Sequence, residues 1–419
     1  MWGFIGIIAV LYISWRFIDA LGKSLPILEL MMLISGLQWI VGPYISYRQE
    51  TTHYKYYMYV DQSTYMSYIV PAFLCFCIPL LIILKNQKAS QKINFLKYLP
   101  YAKSLLFIGI AADVLSAVTP PALAFFFFLI AQFKFIGALL LLFSAKKTDQ
   151  YYFYGALFYL FTNALARAMF HDLLLWGVFM FMYWCLKKQP TLGTRLTLIF
   201  VGVLFAVMIQ AVKTTFRNHI WGGFQGNKVE LFVDLLDEKV SSGYFEEETA
   251  NEELNVRLNQ GWIISAIMYY TPTFQAYAGG ETIKEAIFSS LLPRFLNPNK
   301  KVAGGQENFE LYTGLPLSGG TSMGMSIIGE SYANFGVFNG IVFMLAWGAF
   351  LAWYWKKILS FAYDYPLVLM FLPIVFLQVV KAETELSVVL NHLFKASIVV
   401  ALFFWAARKY LNWSLKETV

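Results

Sequence analysis

The sequence predicts an all-α polytopic membrane protein of about eleven transmembrane helices, with one large, partly helical loop on the outer side. Three observations predict it. Hydrophobic residues make up 58% of the 419 and charged residues only 14%, against roughly 45–50% and 25% in a soluble domain; mean hydropathy is +0.57. A water-soluble chain of this length would divide into several domains with charged surfaces, and the charges to cover them are missing. Apolar runs of the length a bilayer core demands, about 20 residues, recur from end to end. Finally, Lys and Arg collect in alternate linkers. A soluble enzyme, a disordered chain and a collagenous one are excluded.

Taken in order, the runs fall at 2–20, 27–46, 67–84, 104–118, 122–143, 151–168, 173–186, 196–212, 323–355, 366–380 and 394–407. The first, MWGFIGIIAVLYISW, has neither a basic leader nor a small-residue cleavage site before Arg16 and reads as a retained span. The ninth is long enough to be tilted or broken. Basic linkers at 85–103, 144–150, 187–195 and 356–365, and the tail with Arg408, Lys409 and Lys416, all fall on one side if the N-terminus is outside and the C-terminus inside. The short loops opposite hold only Arg48, Lys55, Arg167, Lys381 and Lys395. This positive-inside asymmetry orients the chain and accounts for much of the net charge of +7, so no nucleic-acid partner is expected. Cys75, Cys77 and Cys185 lie within apolar runs and fit neither a disulfide framework nor a zinc site.

The organisation is therefore spans one to eight over 1–212, a large outer loop over 213–322, and spans nine to eleven over 323–419. Inside the loop, Val229–Val240 and a stretch from about Glu247 to Tyr270 show helical periodicity, and a third helix is expected from Glu281 to Leu292, ahead of Pro293. The Gly/Pro/Asn-rich LNPNKKVAGGQENFELYTGLPLSGGTS that follows is expected to hold no regular helix or strand. Long structured loops on a helical scaffold are where function tends to sit.

Polar groups near or within the bilayer need an account. Asp113 and Lys134 lie in neighbouring antiparallel spans and can pair. Arg167 occupies a tight outer turn, NALARAMFHD, beside His171 and Asp172; its planar guanidinium suits either Asp172 or a phosphate. Lys213, Arg217 and His219 follow the eighth span, Arg257 sits in NVRLNQGWIISAIMYY, and Arg294, Lys300 and Lys301 sit in SLLPRFLNPNKK. Singly, such cations are surface charges. Together, near the membrane plane and beside aromatic residues, they fit a binder of a diphosphate whose lipid stays in the bilayer. The ninth span opens with Glu330, Tyr332 and Asn334, a carboxylate, a phenol and an amide where apolar residues are expected; Glu330 is a candidate general base or an orienter of an arginine. Glu383, Glu385, Asn391 and His392 lie in or beside the last outer loop, where a lone His is more often structural. There is no P-loop, GxGxxG or HExxH signature.

The span number, the single late outer loop and the Arg-bearing turn before it resemble those of Wzy-type O-antigen and oligosaccharide repeat-unit polymerases, which are related to the O-antigen ligases. The segments SSLLPRFLNPNKK, QENFELYTG and GESYANFG carry the resemblance in sequence, within about residues 250–340. It implies a bacterial inner-membrane enzyme with a GT-C-like helical fold, working at the periplasmic face with no metal or other cofactor. Such an enzyme moves a growing glycan from undecaprenyl diphosphate to an undecaprenyl-diphosphate-linked acceptor, alongside a chain-length regulator and a flippase. The resemblance assigns diphosphate binding to Arg167, Arg217, Arg257 and Arg294, supported by Lys301, while Tyr332 and Asn334 are further substrate-binding candidates. The family's loop histidine has no single counterpart, which leaves the base open between Glu330, His392 and His219. A lipid-linked oligosaccharide flippase and an O-antigen ligase are the alternatives.

Overall fold

A computed structural model of the chain describes residues 1–49, 56–86, 94–116, 118–244, 255, 258–291, 305–317 and 322–416. Among the described residues the regular structure is helical, with one isolated bridge between Leu21 and Ser24. Eight helices are long and apolar enough to cross a membrane: α1 (Trp2–Ala20), α2 (Ile27–Gln49), α3 (Gln62–Lys85), α4 (Phe95–Ser116), α5 (Leu123–Leu142), α8 (Leu192–Trp221), α13 (Ile327–Asp364) and α15 (Leu386–Tyr410). The polytopic, all-helical architecture read from composition is thus present.

The other three apolar runs fare differently. Residues 151–168 fall in α6 (Lys147–Arg167), whose tyrosines and Thr, Asn and Gln residues dilute its hydropathy. Residues 173–186 fall in α7 (His171–Lys188), which carries Asp172, Lys187 and Lys188 at its ends. Residues 366–380 form only a short pair of helical turns, α14 (Pro366–Phe376), because Pro366 and Pro373 each remove a backbone donor.

Helix ends gather on two faces. On one, which we call the basic face, Lys97 donates to the Lys416 carbonyl (3.2 Å), Lys187 to that of Phe143 (2.9 Å) and Arg195 to that of Ile18 (3.3 Å). Phe95 meets Phe143 there with ring centres 5.0 Å apart, and Arg408 donates to Tyr365 Oη (2.6 Å), so described ends of the basic linkers and the tail share one face. The other, the loop face, carries the described parts of the 213–322 segment. Here α9 (Lys228–Ser241) begins at Asn227, whose side chain accepts from the amides of Val229 and Glu230 (3.0 and 3.4 Å), the N-cap expected of Asn. Farther on come α10 (Gly261–Tyr270), α11 (Glu281–Leu291) and α12 (Gln306–Thr313).

The last of these corrects the sequence reading, which expects no helix in that stretch. Gly305 and Gly314, both left-handed with φ of 72° and 68°, bracket the QENFELYT helix instead of breaking it. Glycine there provides the start and the stop.

The loop is tied into the bundle. Asn255 and Asn259 both donate to Ser46 Oγ (2.8 and 2.7 Å), and the Gln260 amide donates to the Gln38 carbonyl (3.1 Å) within the π-helical turn Leu37–Val41 of α2. The long α13 is not one straight rod. At Gly336 the backbone turns to φ 67° and ψ −157°, which breaks the helical ladder between a short arm, Ile327–Phe335, and the membrane-length arm beyond it. Only glycine adopts that geometry without strain.

Candidate functional site

The loop face takes its chemistry from helix ends. A helix terminus leaves carbonyls without intrahelical partners and carries partial negative charge. At the end of α6 these carbonyls are met in turn: Ala166 by Lys228 Nζ (3.0 Å), Arg167 by Trp221 Nε1 (3.4 Å) and Ala168 by Arg217 Nη2 (3.4 Å). The Arg217 guanidinium also lies over the Trp221 ring at 4.7 Å. Arg217 is therefore in part a helix cap, which holds α8 against the Arg167 turn. The side chain of Arg167 itself is exposed and makes no hydrogen bond or ion pair with a described residue. His219, in the last turn of α8, is exposed and meets the edge of Phe224 at 6.4 Å.

Beside this turn lies a cavity of about 270 Å³. His171 at the start of α7 forms one wall. Gln378, Lys381, Glu383 and Glu385, from the segment between α14 and α15, form the other, with Gly324 from the approach to α13. His171 Nδ1 stands 3.9 Å from Glu383 Oε1, too far for a hydrogen bond. Surrounding protein, foremost, and the Lys381 charge hold the His171 imidazole below the ordinary histidine range, so it is neutral at pH 7. Lys213 lies within electrostatic reach of the same ring. Burial also lowers Lys381, against the opposing pull of Asp172 and Glu383. A neutral imidazole, a lysine and two carboxylates thus converge from turns far apart in the chain. Gly305 and Gly324 make this approach possible: a Cβ on Gly305 would stand 2.8 Å from the Met323 carbonyl and 3.0 Å from Glu385 Oε2, and one on Gly324 would stand 2.7 Å from the Glu383 carbonyl.

Glu330 sits one layer behind the cavity and is 2% exposed. Its Oε1 accepts from Thr282 Oγ1 and its Oε2 from the Leu386 amide, both at 2.8 Å. Asn334, one turn along, donates to Thr282 Oγ1 (2.7 Å) and to the Glu330 carbonyl (2.8 Å) and accepts from the Gly280 amide (3.0 Å). The pair ties the start of α11 and the start of α15 to the short arm of α13. Satisfying an orphan amide at a helix start is work a carboxylate does well. Tyr332 packs edge-on between Tyr68 and Tyr277, with ring centres 5.1 and 6.1 Å away.

His392 is likewise interior, 2% exposed, one turn beyond Val388 of the cavity wall. Its Nε2 donates to the Ile374 carbonyl (2.8 Å) and its ring meets the edge of Phe125. Of the three bases left open by sequence, Glu330 and His392 are enclosed by partners and His219 is not among the cavity-lining residues. The group at the cavity with a base's chemistry is His171, which sequence reading noticed only as a neighbour of Arg167. Lys381 is read from sequence only as a minor charge on the outer side. No spacing signal could single out either, because their partners come from other helices. Arg257, Arg294 and Lys301 lie outside the described residues. Among the described residues no three His, Cys, Asp or Glu side chains gather as a metal-binding set. The comparisons add no kinship to this geometry: no family model, no curated protein and no solved structure matches the chain.

Proposed function

We propose that the protein polymerises lipid-diphosphate-linked oligosaccharide repeat units at the periplasmic face of a bacterial inner membrane. It would thread eleven spans with the loop face outside, and the active centre would be the cavity between His171 and Lys381–Glu385. The convergence of a neutral imidazole, a lysine and two carboxylates beside an exposed arginine at one membrane face carries the reading. Glycosyl transfer from a lipid diphosphate needs the leaving diphosphate stabilised and a proton removed from the acceptor hydroxyl. Arg167, Lys213 and Lys381 serve the first need. His171 serves the second: with Nδ1 turned toward Glu383, its Nε2 is left to take the proton. The acceptor oxygen bonds to the donor's anomeric carbon, the bond from that carbon to the diphosphate breaks, and the proton ends on the imidazole. Glu330 and Asn334 position this wall.

Deleting the gene and sizing the surface glycan tests the reading. Single repeat units on lipid A core are expected. Lipid A core with no antigen would point to a ligase, precursor trapped in the cytoplasm to a flippase, and an unchanged glycan ladder would end the proposal.

A further inference from the structure

A second cavity, about 920 Å³, opens along the groove between α4, α5 and α6. Its walls are apolar and aromatic, with Leu106, Phe107 and Ile110 on α4 facing Tyr151, Tyr152 and Ala156 on α6. At one end sit Asp113, Lys134 and Tyr159. Lys134 Nζ and Tyr159 Oη both donate to Asp113 Oδ2, at 2.5 and 2.7 Å. Close packing makes this pair: a Cβ on Gly109, one turn before Asp113, would stand 2.1 Å from the Lys134 amide nitrogen, so α4 and α5 touch through backbone there.

The triad is neutral, but the Arg167 guanidinium acts electrostatically on all three of its members. The charges in the groove's lining cancel, and the unbalanced cation, Arg167, lies beyond its polar end. Arg167 ends the helix whose earlier turns line the groove, about 12 Å beyond Tyr159 at 1.5 Å per residue. Four residues after Arg167 comes His171, in the wall of the cavity described above. The last two turns of α6 and the short link after them thus join an apolar channel, a cation and the candidate site.

We propose that this groove holds the isoprenoid chain of a lipid diphosphate, with the phosphates at Arg167 and the sugars directed toward His171. The proposal rests on the polymerase reading for the identity of that lipid. Charge and length favour it: a hydrocarbon chain needs the apolar walls, and the anionic head needs the excess cation above them.

Gly155 supplies the test. It lies in the groove wall, and a Cβ added there meets nothing within 4 Å. Gly155→Trp fills the channel while removing a helix-weakening glycine, and Gly155→Ala leaves it open. The full-length protein in nanodiscs is photolabelled with undecaprenyl diphosphate carrying a diazirine near the chain end, and the labelled peptides are mapped. Label is expected on the 106–114 and 151–159 segments, retained in Gly155→Ala and reduced about tenfold or more in Gly155→Trp. Unlabelled undecaprenyl diphosphate is expected to compete, and phosphatidylglycerol is not. Label elsewhere, label undiminished by tryptophan, or equal competition by phosphatidylglycerol overturns the proposal, the last by making the groove a general phospholipid site. The readout involves no turnover. Groove labelling by a chain that makes no polymer therefore sinks the polymerase reading alone, and polymerisation without groove labelling sinks this inference alone.

Discussion

Two charged clusters meet at the α6–α7 hairpin, through Tyr159 and His171, and they are built on opposite plans. Asp113, Lys134 and Tyr159 are locked together at 2.5–2.7 Å, with every charge answered from within. His171, Lys381, Glu383 and Glu385 surround an open volume, with His171 Nδ1 and Glu383 Oε1 standing 3.9 Å apart. A closed cluster stabilises the helices that make it. An open one has room between its walls for something that arrives. Where a membrane protein carries ionisable groups, the distance between them separates structural pairs from working ones better than their mere presence does.

The sharpest way to break this comparison is to remove the imidazole. His171→Ala is expected to lower polymer formation by about 10²–10⁴-fold, the usual yield of a general base, with normal expression; wild-type glycan ladders would return His171 to the status of a surface residue. Next comes the closed cluster. Lys134→Met is expected to lower stability by about 3 kcal/mol by leaving Asp113 without its cation, and the double variant Asp113→Leu/Lys134→Met to recover most of it. Thermal unfolding in detergent checks both, and a single variant as stable as the parent would show that the pair contributes nothing.

Glu330→Gln makes a smaller and more diagnostic change. The amide keeps an acceptor for Thr282 but sets an N–H against the Leu386 amide, at an expected cost of about 1–3 kcal/mol. Because its effect runs through the position of the cavity wall, Glu330→Asp with Thr282 intact should lose less. An unaltered unfolding temperature in Glu330→Gln would remove the positioning role. The mildest effect is on pH. Lys381 is cationic below its pKa, and burial sets that pKa under the ordinary lysine value. Binding of a diphosphate probe should therefore be full at neutral pH and weaken as pH rises, earlier than a free lysine would allow. Lys381→Arg should flatten that limb, and a titration unchanged in Lys381→Arg would exclude the residue from anion binding.

The spans were legible because a bilayer imposes one length and one chemistry on every crossing, and eight of the runs match eight long apolar helices. The Asp113–Lys134 pair was legible for a similar reason, since two opposite charges in neighbouring hairpin helices have few other places to go. The helix Gln306–Thr313 is not legible, because a glycine-rich stretch reads as interruption where Gly305 and Gly314 serve as its two ends. The cavity was harder still. His171 and Lys381 are more than two hundred positions apart and become neighbours only where the fold brings the start of α7 across a cavity from the segment between α14 and α15. Glu330 was noticed for the right reason, an unexpected carboxylate, and the structure shows where its oxygens go.

The break at Gly336 has a mechanical side. A continuous helix transmits tilt and axial load along its whole ladder, and membrane helices tilt whenever bilayer thickness changes. With the ladder interrupted there, tilt of the long arm is not carried along one rod to Ile327–Phe335, whose Ile328 carbonyl and Ser331 are bonded to Tyr68 of α3. The joint lets the two arms hold separate angles: one follows the lipid, and the other keeps Glu330 and Asn334 against Thr282 and the start of α15.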